Sequence, residues 1–145
     1  MRGSGKNGLG LSLGLVKVVG FQIAAILRLF STKGLNLVHG SLRPENIYFT
    51  KKDVPEFKLL DFSCAFFLDE TPKHLAELRN NSTAPELKDY AGFGNSWERQ
   101  ECQLSRLDQW DLGTLLFKLH FKESVDPKDV NGSFRRVLQE LNLPK

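Results

Sequence analysis

Apolar residues recur at three- and four-residue steps in the first long segment of the chain. The residues concerned are Val19, Ile23, Ile26, Leu27 and Phe30. This spacing places them on one face of a helix, which we expect to run from about Leu15 to Thr32. Lys33 and Gly34 supply a basic last turn and a glycine stop.

Two short apolar runs follow, and they are typical of β-strands. Ile47–Thr50 and Phe57–Leu60 are separated by a polar turn, which predicts a β-hairpin. Asp61 would then lie where the second strand ends. Upstream of the hairpin, Leu37 and Val38 lead into a loop that Arg43-Pro44 keeps from becoming helical.

The second half of the chain predicts two more helices. Residues 63–83 show no sustained period, so we expect an irregular segment there. Regularly spaced leucines and Trp110 predict a strongly apolar helix from about Ser105 to His120. A third helix is predicted from Ser133 to Leu141, with Ser133 as its N-cap. The fold class expected from this pattern is mainly α with a short β-hairpin.

Composition favours one domain and gives little indication of partners. The chain has 145 residues, of which 41% are hydrophobic and 26% charged, enough for one core. Residues 1–14 are rich in Gly and Ser and read as a flexible arm or an arbitrary start, which leaves 15–145 as the domain. A net charge of +3 without runs of like charge does not indicate a nucleic-acid partner. Lys17 and Gln22 interrupt the apolar N-terminal segment, so no membrane span is expected.

Four short motifs occur in a recognisable order. They are His39–Asn46, Asp61-Phe62-Ser63, Ala84-Pro85-Glu86 and Asp108–Gly113. The first resembles the catalytic loop of protein kinases, the second the DFG triplet, the third the APE motif and the fourth the central helix of the large lobe. The chain therefore resembles part of the large, C-terminal lobe of a protein kinase, with the small lobe absent.

This resemblance implies roles for individual residues. Asn46 and Asp61 match the two ligands that bind Mg²⁺ beside the phosphates of ATP. Arg43 replaces the loop lysine that approaches the transferred phosphate. His39 and Asp108 match structural positions, and the carboxylate of Asp108 would accept backbone N–H groups of the loop. Glu86 matches a structural ion pair, for which Arg135 or Arg136 could be the partner.

Three further residues depart from the kinase pattern. Ser41 stands where active kinases place the catalytic aspartate, and a neutral hydroxyl without its own base cannot accept the substrate proton near pH 7. Gly40 replaces the arginine that pairs with a phosphorylated activation segment. Ser63 replaces the DFG glycine and adds a Cβ where kinases need freedom at positive φ.

Three hypotheses follow for function. The first is a catalytically impaired pseudokinase that acts as a protein-interaction or regulatory scaffold. The second is a divergent ATP-dependent Ser/Thr protein kinase represented by an incomplete chain. The third is a fragment that does not fold alone. The sequence elements with which a small lobe grips ATP do not occur, so binding of Mg²⁺ and ATP would be weak.

The loop also resembles a particular group of kinases. Its His-Gly opening and the Leu-Arg-Pro-Glu-Asn that follows are similar to the secreted rhoptry kinases and pseudokinases of apicomplexan parasites. That resemblance implies export into a host cell, whereas a cytoplasmic location is the default without it. The sequence names neither the substrate nor the protein partner.

Overall fold

The described part of the chain is a mixed α and β structure. The computed structural model describes residues 10–32, 35–50, 55–68, 82, 84, 85, 87, 104–126 and 128–140. These residues form three α-helices, which we number α1 (Leu13–Phe30), α2 (Leu107–Phe121) and α3 (Val130–Glu140). Four strands, β1 (Leu37–Val38), β2 (Ile47–Thr50), β3 (Glu56–Leu59) and β4 (Phe66–Phe67), form two small antiparallel sheets. The coarse expectation of a helix-rich chain with a short hairpin is thus confirmed.

Helix α1 begins earlier than the sequence predicts. The Ser12 hydroxyl accepts the N–H of Leu15 at 3.3 Å and caps the helix, so Leu13 is its first residue. The Leu11 N–H donates to the Leu119 carbonyl at 2.8 Å, which attaches the start of α1 to the end of α2. The predicted arm over residues 1–14 is therefore too long at its C-terminal end, while residues 1–9 lie outside the described residues.

Two apolar clusters hold the elements together. One lies between α1, α2 and the β2–β3 hairpin and contains Val19, Ile23, Leu42, Phe57 and Leu115. The other lies around β1, β4 and the start of α2 and contains Val38, Cys64, Phe66, Ala84, Leu87, Leu104 and Leu107. Gly20 allows α1 to approach α2 closely, because a Cβ there would lie 3.0 Å from a methyl group of Leu116.

The predicted hairpin is present, and α1 anchors its edge. Ile47 pairs with Leu59 and Thr50 with Glu56. The Gln22 side chain of α1 accepts the Phe57 N–H at 2.9 Å and donates to the Pro55 carbonyl at 2.8 Å. The polar residue in this apolar helix therefore satisfies backbone groups at the edge of β3.

One described helix, α1, is long and apolar enough to cross a membrane by length and composition. A core helix of a soluble protein meets the same criterion, so a single such helix is weak evidence for a span. Here Val16, Val19 and Ile23 of α1 are buried within the protein.

The predicted start of the last helix is wrong. Ser133 lies inside α3, which begins at Val130. The Asp129 carboxylate accepts the Gly132 N–H at 2.8 Å, so Asp129 is the capping residue and Ser133 is not. A carboxylate is also the better cap because it interacts favourably with the positive end of the helix dipole.

Arg136 attaches α3 to the end of α2. Its Nη1 lies 2.6 Å from Oε2 of Glu123, and its guanidinium stacks over the Phe121 ring at 4.5 Å. We expect Arg136→Ala to lower the free energy of unfolding by about 0.5 to 1.5 kcal/mol. We also expect faster hydrogen exchange of the α3 amides, measured by mass spectrometry.

Arg135→Ala provides the matched control, because Arg135 is the exposed neighbour on the same helix. Equal exchange rates in the two variants would contradict the role of Arg136 as an anchor.

Candidate functional site

Asp108 of α2 holds the loop His39–Asn46 through hydrogen bonds to the loop backbone. Oδ2 of Asp108 accepts the His39 N–H at 2.8 Å, and Oδ1 accepts the Gly40 N–H at 2.9 Å. Gly40 has φ 72°, a conformation that glycine adopts without steric cost. Burial raises the pKa of Asp108, whereas the two N–H donors act in the opposite direction. The carboxyl group thus sets the path of the loop backbone.

The His39 ring is fully buried and its nitrogens have different partners. Nε2 lies 3.2 Å from the Leu60 carbonyl, and Nδ1 accepts the Ser41 N–H at 3.3 Å. These contacts fit the neutral tautomer that carries its proton on Nε2. The Phe62 ring packs edge-on against the imidazole with centroids 4.7 Å apart. Burial lowers the pKa of His39, although the charge of Asp108 opposes this shift.

We expect the His39 ring to take up its proton at a lower pH in the folded chain than its ordinary pKa of 6.5, because burial lowers its pKa. Between these two pKa values the unfolded chain binds a proton that the folded chain does not, so His39 makes folding less favourable as pH falls through 6.5. Asp108 makes folding more favourable as pH falls, because its pKa is raised in the folded chain. An NMR titration of the His39 ring isolates the effect, with the urea-unfolded chain as the reference and His39→Gln to assign the signal. Titration at the same pH in both states would contradict the geometry.

Ser41 is fully buried and faces Asn46. The Asn46 Nδ2 group donates to the Ser41 Oγ at 2.9 Å and to the Ser41 carbonyl at 3.0 Å. Asn46 belongs to a short 3₁₀ helix, Pro44–Asn46, and is itself almost buried. The Ser41 hydroxyl is therefore an internal partner of Asn46, and solvent does not reach it. Because both of these bonds use Nδ2, the amide oxygen of Asn46 remains an available acceptor.

Asp61 lies two residues beyond the end of β3 and projects an exposed carboxylate. Its Oδ1 accepts the Ser63 hydroxyl at 2.6 Å and the Ser63 N–H at 3.2 Å. These bonds, hydroxyl first, lower the pKa of Asp61, and the charge of Arg43 adds to them. Asp61 rather than Ser63 is the left-handed residue, with φ 58°. Ser63 therefore does not adopt the positive φ for which kinases use glycine, and its hydroxyl donates to Asp61.

Arg43 precedes the 3₁₀ helix in an extended conformation, with φ −135°. Its Nε is buried and has no hydrogen-bond partner among the residues that the structure describes. The Arg43 charge is a smaller cause of the low pKa of Asp61, after the two hydrogen bonds from Ser63.

Asp111, for which the motifs imply no role, is buried in the structure. The Ser82 hydroxyl donates to Oδ1 of Asp111 at 2.5 Å and accepts the Ala84 N–H at 3.1 Å. This links the segment around Ala84 to α2, one turn after Asp108. A carboxylate within the apolar pattern of α2 was the available signal. Glu86, the predicted structural residue, lies outside the described residues, and Arg136 pairs with Glu123.

The structure thus brings together most of the residues that the sequence selected. His39, Ser41, Arg43 and Asn46 lie on one loop, Asp108 supports it, and Asp61 interacts with both His39 and Arg43. Asn46 and Asp61 offer an amide oxygen and a carboxylate, the ligand types that Mg²⁺ prefers. Within the described ranges, no cluster of three or more His, Cys, Asp or Glu side chains could hold a metal ion. No family model matches this chain.

Proposed function

We propose that this chain is part of a kinase-like large lobe whose loop is catalytically impaired, and that it acts as a scaffold for protein partners. The observation that carries the proposal is the environment of Ser41. Its hydroxyl, which the motif resemblance aligns with the catalytic carboxylate, is fully buried and is already bonded to Asn46. No base is therefore presented to a substrate hydroxyl at this position.

The arrangement around the loop supports the kinase-like part of the proposal. A helix leads to the loop, a hairpin follows it, and Asp61 lies two residues after the second strand. Asp108 on a later helix reaches back over 69 positions to bind the loop backbone. This contact between distant parts of the chain supports the roles that the resemblance gives to the loop and to Asp108.

Binding of Mg²⁺ and nucleotide by this site would be weak. The Asn46 oxygen and the Asp61 carboxylate would hold the ion, and a bound Mg²⁺-ATP would supply the phosphoryl group. The low pKa of Asp61, caused first by the Ser63 hydroxyl, keeps that ligand ionised. Two protein oxygens alone leave most positions around Mg²⁺ to water or phosphate.

A phosphoryl-transfer assay tests the proposal. We expect no transfer from radiolabelled Mg²⁺-ATP to a generic protein substrate, and no gain in Ser41→Asp. The assay uses this chain and the longest version that genomic DNA upstream of Met1 encodes. Transfer that depends on Asp61, shown by its loss in Asp61→Asn, would overturn the proposal.

A divergent active kinase is the second candidate, and the exposed, ionised carboxylate of Asp61 favours it. Such an enzyme would dispense with the base and use Asp61, Asn46 and Arg43 for charge stabilisation, since phosphoryl transfer depends mainly on positioning and charge. In that case Ser41→Asp would restore a base and raise the rate by about 10²- to 10⁴-fold. The same assay therefore separates the two candidates.

A further inference from the structure

A large apolar cleft lies between α1, α2 and α3, away from the loop. Its volume is about 480 Å³. The walls are formed mainly by the aliphatic and aromatic side chains of the three helices and the turn between α2 and α3, namely Leu13, Val16, Leu116, Phe117, Phe121 and Val125, together with Val130, Phe134 and Val137. None of the cleft residues belongs to His39–Asn46 or Asp61–Ser63. The cleft is therefore a separate feature from the proposed kinase-like site.

Helix α3 forms one wall of the cleft without closing it. No residue of α3 is buried, and Phe134 of its apolar face remains 60% exposed. The helix is attached through Arg136 to Phe121 and Glu123, and Glu140 approaches His120 at 3.9 Å. Polar contacts thus hold α3 beside α2 while its apolar side chains face the cleft. An apolar occupant would bury these side chains, which the helices alone leave accessible to water.

Two charged side chains occur among the described residues that line the cleft, Lys17 on the α1 wall and Glu140 on the α3 wall, where Glu140 approaches His120. Leu13, Val16 and Lys17 of α1 all line the cleft, and Lys17 follows Leu13 by about one turn, so these two lie on the same side of the helix. The Lys17 ammonium group forms no salt bridge within the part of the chain that the structure describes. Lys17 is exposed, whereas Val16 is buried. The cation is thus available to a ligand whose apolar part lies deeper in the cleft.

We propose that this cleft binds a single fatty acid, with the acyl chain against α2 and α3 and the carboxylate at Lys17. The volume is about three times that of an apolar cavity which holds one benzene, and it falls in the range of small-molecule sites. The nearly apolar lining excludes ligands with buried polar groups, because these would lose their hydrogen bonds to water. A hydrocarbon with one anionic end matches both the lining and the position of Lys17.

Fluorescence titration of the full chain with straight-chain fatty acids, below their micelle concentrations, tests the proposal. We expect saturable binding of one molecule per chain. Affinity should rise about fourfold per added methylene until the cleft is filled and then level off. The matching alcohols should bind about two- to fivefold more weakly, because they lack the charge that pairs with Lys17. Binding of many molecules per chain, or an unlimited rise with length, would overturn the proposal.

Matched variants locate the site. Val137→Trp fills the cleft and should weaken binding at least about tenfold, whereas Gln139→Trp on the exposed side of the same helix should not. Lys17→Ala should remove the preference for acids over alcohols, and Lys58→Ala should keep it. If Val137→Trp does not fold by circular dichroism, Val130→Trp takes its place, and a rise in the Tm of the parent chain with ligand supports binding.

Two results would assign the cleft to another occupant. A dimer seen by sedimentation that Val137→Trp disrupts, in a chain that binds no fatty acid, would place a second copy there. Fatty-acid binding unchanged by both cleft-filling variants would place the ligand elsewhere. Either result overturns the proposal and leaves the phosphoryl-transfer assay unaffected, since that assay depends on the loop alone.

Discussion

Asp108→Ala is expected to destabilise the chain by about 2 to 6 kcal/mol, because it leaves two buried N–H donors without an acceptor. These donors are the backbone groups of His39 and Gly40, and Asp108 itself is only 7% exposed. Small domains have a total stability of about 5 to 15 kcal/mol, so the loss would be a large part of it. Urea unfolding followed by circular dichroism measures the change.

Two further variants show whether the hydrogen bonds cause the effect. Asp108→Asn keeps the volume but offers one acceptor for two donors, so we expect an intermediate loss of about 1 to 3 kcal/mol. Gln109→Ala changes the exposed neighbour on α2 and should cost little. If all three variants unfolded at the same urea concentration, Asp108 would not be the support of the loop.

The same experiment bears on whether the chain folds by itself. A cooperative transition in the parent chain would be evidence against the hypothesis of a fragment that does not fold alone. A gradual, featureless change in signal would support that hypothesis. The free energies of unfolding of the Asp108 variants can be compared only if the parent chain unfolds cooperatively.

Elements with a local signal could be predicted from the sequence. The apolar periods of α1 and α2 and the two runs of the hairpin place these elements to within about two residues. Strand β4 was missed because its partner β1 lies about thirty residues upstream, and a two-residue strand has no period of its own. The cap of α3 was misplaced because Asp129 and Ser133 are both good caps, and the sequence does not show which one the chain uses.

The sequence identified most residues of the candidate site, but not the hydrogen bonds between them. Motif spacing selected Asn46, Asp61 and Asp108, since the resemblance assigns each a position. It did not show that the Ser41 hydroxyl is buried against Asn46, or that Ser63 bonds to Asp61. Those contacts depend on side-chain directions set by φ at Gly40 and Asp61. Nor could it predict the cleft, which depends on how far α3 stands from α2.

Polar substitutions on opposite faces of α1 should have very different effects, and this contrast tests whether α1 is a core helix. Ile23 is fully buried against the hairpin and α2, whereas Phe21 is 78% exposed. We expect Ile23→Asn to lower the free energy of unfolding by about 4 kcal/mol or more, since it removes apolar contacts and buries an amide. Phe21→Asn should change it by no more than about 0.5 kcal/mol.

Gln22 attaches one side of α1 to the hairpin. Gln22 lies between the two positions and bonds to the backbone at Pro55 and Phe57, so one side of α1 is committed to the hairpin. If α1 crossed a bilayer, its outer face would contact lipid, and Phe21→Asn would be as harmful as Ile23→Asn. Urea unfolding without detergent, with both variants measured beside the parent, distinguishes the cases. Equal destabilisation, or a parent chain that stays soluble only in detergent, would contradict the core position of α1.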